Sequence, residues 1–113
     1  MASAASTAPP LANTTIGVVA TNATLTKTQA TAVAQMAHDG IARTVRPAHS
    51  PVDGDCVFVL ATGEKGEPVN AGLVGTFAAR AVERAVLRAI SEATSLAGIP
   101  SVRDWLAAPS GRR

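Results

Sequence analysis

The sequence predicts an α/β fold in which helices cover a small sheet. Two apolar segments rich in β-branched residues, at 14–21 and Cys56–Ala61, alternate with two amphipathic segments, at 24–42 and 70–96. Elements that follow one another in this order typically form a layer of helices against a sheet. Because both strand segments are almost uniformly apolar, we expect each strand to be covered on both faces. A chain of 113 residues is long enough for one modest core.

The composition suggests that this core is completed by close packing or by a partner. Hydrophobic residues make up 47% of the chain, yet it contains no Tyr, one Trp and two Phe. Aromatic side chains normally dominate the energetics of cores and interfaces. We therefore expect closely packed helices and strands, or a partner surface that supplies the missing bulk.

The first helix is predicted over residues 24–42, with Thr24 or Thr26 as its N-cap. Its apolar residues recur at helical spacing on one face. They are Ala30, Val33, Ala34, Ala37 and Ile41. Gly40, near the end of the helix, either weakens the last turn or lets another backbone approach closely.

The second helix, predicted over 70–96, has an apolar side and an opposite basic stripe. Three arginines form this stripe at four-residue spacing: Arg80, Arg84 and Arg88. A solvated helix face is the favoured interpretation, and an inter-subunit salt-bridge surface is the alternative. Beyond this helix, Ser101 can cap a short final turn, from which Trp105 and Leu106 are expected to pack on the core.

The two ends of the chain differ from the predicted domain at residues 14–108. Residues 1–13 are mostly small or polar and contain Pro, which predicts a flexible, propeptide-like leader. Residues 109–113 are expected to form a disordered tail. The start has no basic residue and no apolar core segment, so it does not resemble a secretory signal, and we expect a cytoplasmic chain.

Charge and cysteine content exclude several classes of protein. The net charge of +2 is too small, and the aromatics too few, for a nucleic-acid-binding surface. The sequence has no apolar run near the roughly 20 residues of a membrane helix. Cys56 is the single cysteine, so an internal disulfide and a paired-cysteine metal site are excluded. We expect Cys56 to be a buried strand residue rather than a reactive thiol.

Two aspartates and two histidines are the generic candidates for chemistry. Asp53 and Asp55 alternate before the second strand, so both carboxylates can face one site. A turn in which each Asp caps local N–H groups explains them equally simply, and spacing alone favours that interpretation. His38 and His49 lack a metal-binding motif, so a structural or surface role is favoured for both.

A self-cleavage mechanism would explain the polar start of the first strand, Asn13-Thr14-Thr15. Attack by the Thr14 hydroxyl on the preceding carbonyl would produce an ester, which water then hydrolyses. The product begins at Thr14, whose free α-amine has an ordinary pKa of roughly 7.7–8.0. That amine can act as the base for the hydroxyl of its own residue, as in other N-terminal nucleophiles. On its own, the tripeptide is a weak signal.

Several strings, in order and at compact spacing, resemble the self-processing L-aminopeptidase/D-esterase family. They are NTT, LTK, MAHDG-AR, RP-H and DGD-VF-LATG, and the resemblance covers about residues 13–97. It is strongest to the branch of endo-type 6-aminohexanoate-oligomer hydrolases. In this family a precursor cuts itself into an α subunit and a β subunit that begins with a nucleophilic Ser or Thr.

The resemblance implies a role for each matching residue. Thr14 matches the nucleophile, Asn13 the residue before the cut, and Asp53 and Asp55 the acidic residues beside the nucleophile. The matches of the two histidines are structural, and no metal or organic cofactor is implied. The implied fold is an αββα sandwich of the N-terminal-nucleophile type, of which this chain supplies the β-subunit half.

The resemblance also implies partners. An α-subunit-like segment, for which this sequence has no counterpart, would complete the site, and αβ units would associate into homo-oligomers. Implied substrates are small peptides or amides with a free amino end, or linear ω-amino-acid oligomers. Without the α segment we expect little activity. Two alternatives stay open: a truncated, non-catalytic chain that acts by association, and an acyl-transferase like the ornithine acetyltransferases.

Overall fold

The computed structural model describes residues 13–109, which form five elements in the predicted order. They are β1 (Ile16–Thr21), α1 (Lys27–Thr44), β2 (Cys56–Ala61), α2 (Ala71–Glu92) and α3 (Val102–Ala107). The mixed α/β class is therefore confirmed. The predicted leader, apart from Asn13, and the predicted tail, apart from Pro109, lie outside the described residues.

The two strands pair in parallel, with Ile16 opposite Cys56 and Thr21 opposite Ala61. Such a pair needs a long crossover, and α1 provides it. The pairing brings the starts of both strands to the same edge of the sheet. Regular pairing begins at Ile16, two residues later than predicted, because the residues opposite Thr14 and Thr15 belong to the loop that leads into β2.

The boundaries of the helices follow local capping signals. Thr26 is the N-cap of α1, and a capping box joins it to Gln29: the Gln29 N–H donates to the Thr26 hydroxyl and the Thr26 N–H to the Gln29 side chain. Asn70 caps α2 by accepting a hydrogen bond from the N–H of Leu73. The helix α2 ends at Glu92, four residues earlier than predicted.

The backbone leaves the helix at Ala93, which has an extended conformation with φ −61° and ψ 146°, and a tight turn follows. Leu96 and Ile99 exchange two backbone hydrogen bonds of 2.9 and 3.1 Å. The two residues between them, Ala97 and Gly98, have positive φ. The residues of this turn, at the predicted end of the helix and just beyond it, are therefore not helical.

The core lies between α1, α2 and one face of the sheet. Val33, Ala37 and Ile41 of α1 are fully buried, and they contact Val57 of β2 and Ala78 of α2. Burial of one such large aliphatic side chain stabilises the fold by about 1.5–3 kcal/mol. The close helix packing expected from the Ala-rich composition is thus present at the contact between α1 and α2.

The opposite face of the sheet is exposed in this chain, so the prediction that both faces are covered is wrong for the described residues. Ile16, Val18, Phe58 and Leu60 are each 57–70% exposed. Cys56 is also exposed, which contradicts its predicted burial. The reason is geometric: successive side chains of a strand point to opposite faces, and both long helices pack on the same face.

The short helix α3 is held by polar contacts rather than by its apolar residues. Ser101 caps it, as predicted, and its backbone N–H donates to the Ser95 hydroxyl at 2.8 Å. Asp104 accepts hydrogen bonds from the hydroxyls of both serines. Trp105 is 48% exposed and Leu106 is 68% exposed, so the prediction that they pack on the core is wrong.

The basic stripe of α2 is exposed along its length, in agreement with the favoured solvated face. The alternative of an inter-subunit surface stays a prediction. Across residues 13–109, no helix combines the length and the apolarity that spanning a bilayer requires.

Candidate active site

The candidate site lies at the edge of the sheet where both strands begin. Ahead of the regular ladder, Asn13 and Asp53 form an isolated parallel bridge. The Gly54 N–H donates to the Asn13 carbonyl at 2.8 Å, and the Cys56 N–H to the Thr15 carbonyl at 2.9 Å. The structure therefore brings the Asn13–Thr14 peptide beside residues 53–55, the Asp-Gly-Asp loop, although 40 residues separate the two segments in sequence.

Asp55 fixes the backbone just after Thr14. One carboxylate oxygen accepts a hydrogen bond from the Thr15 N–H at 2.8 Å. The other lies 3.9 Å from Nδ1 of His49, and the Asp55 side chain is only 9% exposed. This carboxylate bonds across the sheet edge rather than to its own turn, so the local-turn interpretation does not hold for Asp55.

Asp53 makes the local turn that its spacing suggested. Its carboxylate accepts a hydrogen bond from the Ser50 N–H at 2.8 Å, and its own N–H donates to the Ser50 carbonyl at 3.0 Å. The two aspartates therefore use their carboxylates differently: Asp53 orders the loop, and Asp55 holds the first strand.

Thr14 is exposed at the open end of β1, with its hydroxyl next to Gly54. A Cβ on Gly54 would lie 3.0 Å from the Thr14 hydroxyl oxygen and 3.9 Å from the Asn13 carbonyl oxygen. A side chain at position 54 would therefore crowd the hydroxyl. The absence of one keeps the space around the Thr14 oxygen open on that side.

The two histidines are closer to the site than their favoured structural roles suggested. Their rings lie 5.4 Å apart, tilted by 59°. His49 has a positive φ of 58°, and its ring lies near both His38 and Asp55. In the sequence, only the short separation between His49 and Asp55 indicated that this histidine could lie near the site. No group of three or more His, Cys, Asp or Glu able to hold a metal occurs between residues 13 and 109.

Hydrogen bonds from Ser50 are the main causes that lower the pKa of Asp53. Its pKa is lowered by the Ser50 side chain first and by the Ser50 backbone N–H second. Because the pKa is lowered in the folded state, the carboxylate contributes stability above its unfolded pKa, and this contribution disappears as the pH falls through the folded value.

We expect an NMR titration to give Asp53 a pKa below that of an ordinary aspartate. Ser50→Ala should raise this pKa but leave it below the ordinary value, because the backbone N–H remains. Ser50→Thr, which keeps a hydroxyl, is the matched control and should leave the pKa low. An ordinary Asp53 pKa in the unsubstituted protein would contradict the assignment.

Comparison with known proteins identifies the family. The model of peptidase family S58 matches residues 2–103, which is most of the chain. The chain belongs to peptidase family S58. The resemblance predicted from the sequence is thereby confirmed, and the edge formed by Asn13, Thr14 and the Asp-Gly-Asp loop lies inside the matched region of this S58 chain.

Curated relatives of the S58 chain are much longer than it is. An uncharacterized aminopeptidase of Mycobacterium tuberculosis is 47% identical over 105 residues, which cover 81% of this chain and 30% of the relative. Another, of Mycobacterium leprae, is 47% identical over 102 residues, covering 79% and 28%. A 6-aminohexanoate-oligomer endohydrolase of Paenarthrobacter ureafaciens is 31% identical over 88 residues, covering 68% and 25%. The chain therefore spans less than a third of each.

Proposed function

We propose that this chain is the β-subunit-like part of an S58 amide hydrolase whose nucleophile is Thr14, released by cleavage of the Asn13–Thr14 bond. The observation that carries the proposal is the clamping of the backbone on both sides of Thr14. Gly54 binds the carbonyl before it, and Asp55 binds the N–H after it.

The proposed maturation is an acyl shift followed by hydrolysis. The Thr14 oxygen bonds to the Asn13 carbonyl carbon, the bond from that carbon to the Thr14 nitrogen breaks, and the nitrogen takes up the hydroxyl proton. Water then hydrolyses the ester, so that Asn13 leaves with a carboxylate and Thr14 keeps a free amine and hydroxyl. Asp55, which binds the Thr15 N–H, holds the new terminus in place afterwards.

Turnover then uses the same hydroxyl on an external amide. The α-amine of Thr14 accepts the hydroxyl proton, the oxygen forms an acyl-enzyme, and water releases the acyl group. Asp53 and Asp55 provide negative charge that stabilises the ammonium form of the base as it takes up the proton. The proposed substrates are small peptides or amides with a free amino end, or linear ω-amino-acid oligomers, in keeping with the names of the relatives.

The exposed face of the sheet is an observation in favour of a partner segment. Four large apolar side chains stand on that face: Ile16, Val18, Phe58 and Leu60. We propose that an α-subunit-like segment supplies a second sheet against it, which would build the αββα sandwich, and that such αβ units associate further. This face also favours the second candidate function, a non-catalytic chain that acts only by association.

Mass spectrometry tests the proposal. The chain is expressed alone and together with the α-subunit-like segment of an S58 relative. The expected product lacks residues 1–13, begins at Thr14 and hydrolyses amino-acid p-nitroanilides when the α-like segment is bound. An intact chain that binds the segment but has no such activity would favour the association function instead. Transfer of acetyl groups between amino acids, without hydrolysis, would favour the acyl-transferase.

A further inference from the structure

The hydrogen bond from Gly54 reaches an atom that takes part in the proposed cleavage. Its acceptor is the Asn13 carbonyl oxygen, and the N···O distance is 2.8 Å. That carbonyl belongs to the peptide bond that would break. The contact links the loop between α1 and β2 directly to the reacting group, whereas both aspartates bind elsewhere: Asp53 to Ser50, and Asp55 to the Thr15 N–H.

The chemistry of the acyl shift makes this carbonyl oxygen the place where negative charge develops. When the Thr14 oxygen adds to the carbonyl carbon, the electron pair of the C=O bond moves onto the oxygen. Collapse of this tetrahedral intermediate restores the C=O bond and expels the Thr14 nitrogen as an amine. A donor already aligned with the oxygen stabilises the charged intermediate more than the neutral peptide, which lowers the barrier.

The absence of a side chain at Gly54 supports the same role. A Cβ there would stand 3.0 Å from the attacking hydroxyl oxygen, which is closer than ordinary contacts. At Gly17, which lies on β1, a Cβ would be 3.7 Å from the nearest atom, an ordinary contact. Gly54 therefore provides two things: its N–H donates to the carbonyl, and its lack of a side chain leaves room for the nucleophile.

We infer that the Gly54 N–H is an oxyanion donor for self-cleavage at Asn13–Thr14. The inference rests on the proposed function, because it concerns the maturation step. The catalytic group in this case is a backbone N–H. The loop between α1 and β2 would then take part in the reaction and also hold the first strand.

Exchange of this N–H for an ester oxygen tests the inference without adding a side chain. Glycolic acid is incorporated in place of Gly54 by stop-codon suppression in cell-free translation, and cleavage is followed by mass spectrometry in the protein combination that cleaves when unmodified. The matched control places glycolic acid at Gly66, whose N–H donates to the Gly63 carbonyl at 3.0 Å in a loop after β2. Both variants lose one backbone hydrogen bond, and limited proteolysis checks that both are folded.

The expected result is cleavage slowed about 100-fold or more at position 54, and a rate near that of the unmodified protein for the control at 66. Equal rates for the two ester variants, both folded, would overturn the inference and leave the proposed function standing. If the unmodified protein never cleaves in combination with an α-like segment, the proposed function fails, and the inference with it.

Discussion

Replacing Thr14 with alanine is expected to abolish both self-cleavage and amide hydrolysis. The substitution removes the only oxygen that the proposed acyl shift and the acyl-enzyme share. Loss of a nucleophile typically costs a thousandfold or more in rate. Thr14→Ser keeps a hydroxyl and should still cleave. Mass spectrometry reports the cleavage, and release of p-nitroaniline reports the turnover, in the presence of the α-like segment.

Thr15→Ala is the matched control for this experiment. Thr15 is the next hydroxyl residue, but the structure uses its backbone: its N–H donates to Asp55 and its carbonyl accepts from Cys56. Alanine keeps both bonds, so cleavage should continue. If Thr14→Ala were to cleave while Thr15→Ala did not, the nucleophile would be Thr15 and the proposed cut would move by one residue.

The largest expected effects on stability come from adding a side chain at Gly40. Gly40 is buried where α1 meets α2, and a Cβ there would lie 2.7 Å from the Glu83 nitrogen and 2.8 Å from the Val82 Cβ, besides meeting the Ala79 carbonyl. These are mostly backbone atoms of α2, which cannot rotate away. Alanine favours a helix over glycine by about 1 kcal/mol, but overpacking costs about 1–3 kcal/mol or more.

We therefore expect Gly40→Ala to lower the free energy of unfolding by about 2 kcal/mol, because an overpacking cost of about 3 kcal/mol is offset by a helix preference of about 1 kcal/mol. Gly40→Val should lower it further. Urea denaturation of the isolated chain or of its complex measures this. The control is Gly17→Ala, whose Cβ would make an ordinary contact at 3.7 Å from Val57. It should change the free energy by no more than about 0.5 kcal/mol. Equal stabilities of the two alanine variants would contradict the close approach of the helices.

The elements were predictable because their signals are local. The bounds of β2, Cys56–Ala61, agree with the prediction because a turn sequence precedes an apolar run there. Thr26 and Asn70 cap their helices because a side-chain oxygen just before a helix can accept from a free N–H of the first turn. Close approach of another backbone was one of two interpretations of Gly40, because a glycine inside a helical pattern needs a reason, and the short distances to α2 favour it over a weakened last turn.

The burial of the strands was not predictable from the same runs. A uniformly apolar segment predicts that both faces of a strand are covered, but it does not indicate whether the same chain covers both. The exposure of Cys56 and Phe58 follows from the position of both long helices on one side of the sheet. Likewise Trp105 is exposed because Ser95, Ser101 and Asp104 position α3 through polar contacts.

By itself, the sequence determined the α/β class, the order of the elements and the set of candidate residues, through periodicity, capping and family motifs. The tertiary structure alone decided which groups those residues contact. Parallel pairing of two strands places the Asp-Gly-Asp loop beside Asn13 and Thr14, and it separates Asp53, which orders its own turn, from Asp55, which holds the first strand. No sequence pattern could predict the contact of the Gly54 N–H with the Asn13 carbonyl. The contact is made by the backbone and depends on the register of two strands 40 residues apart.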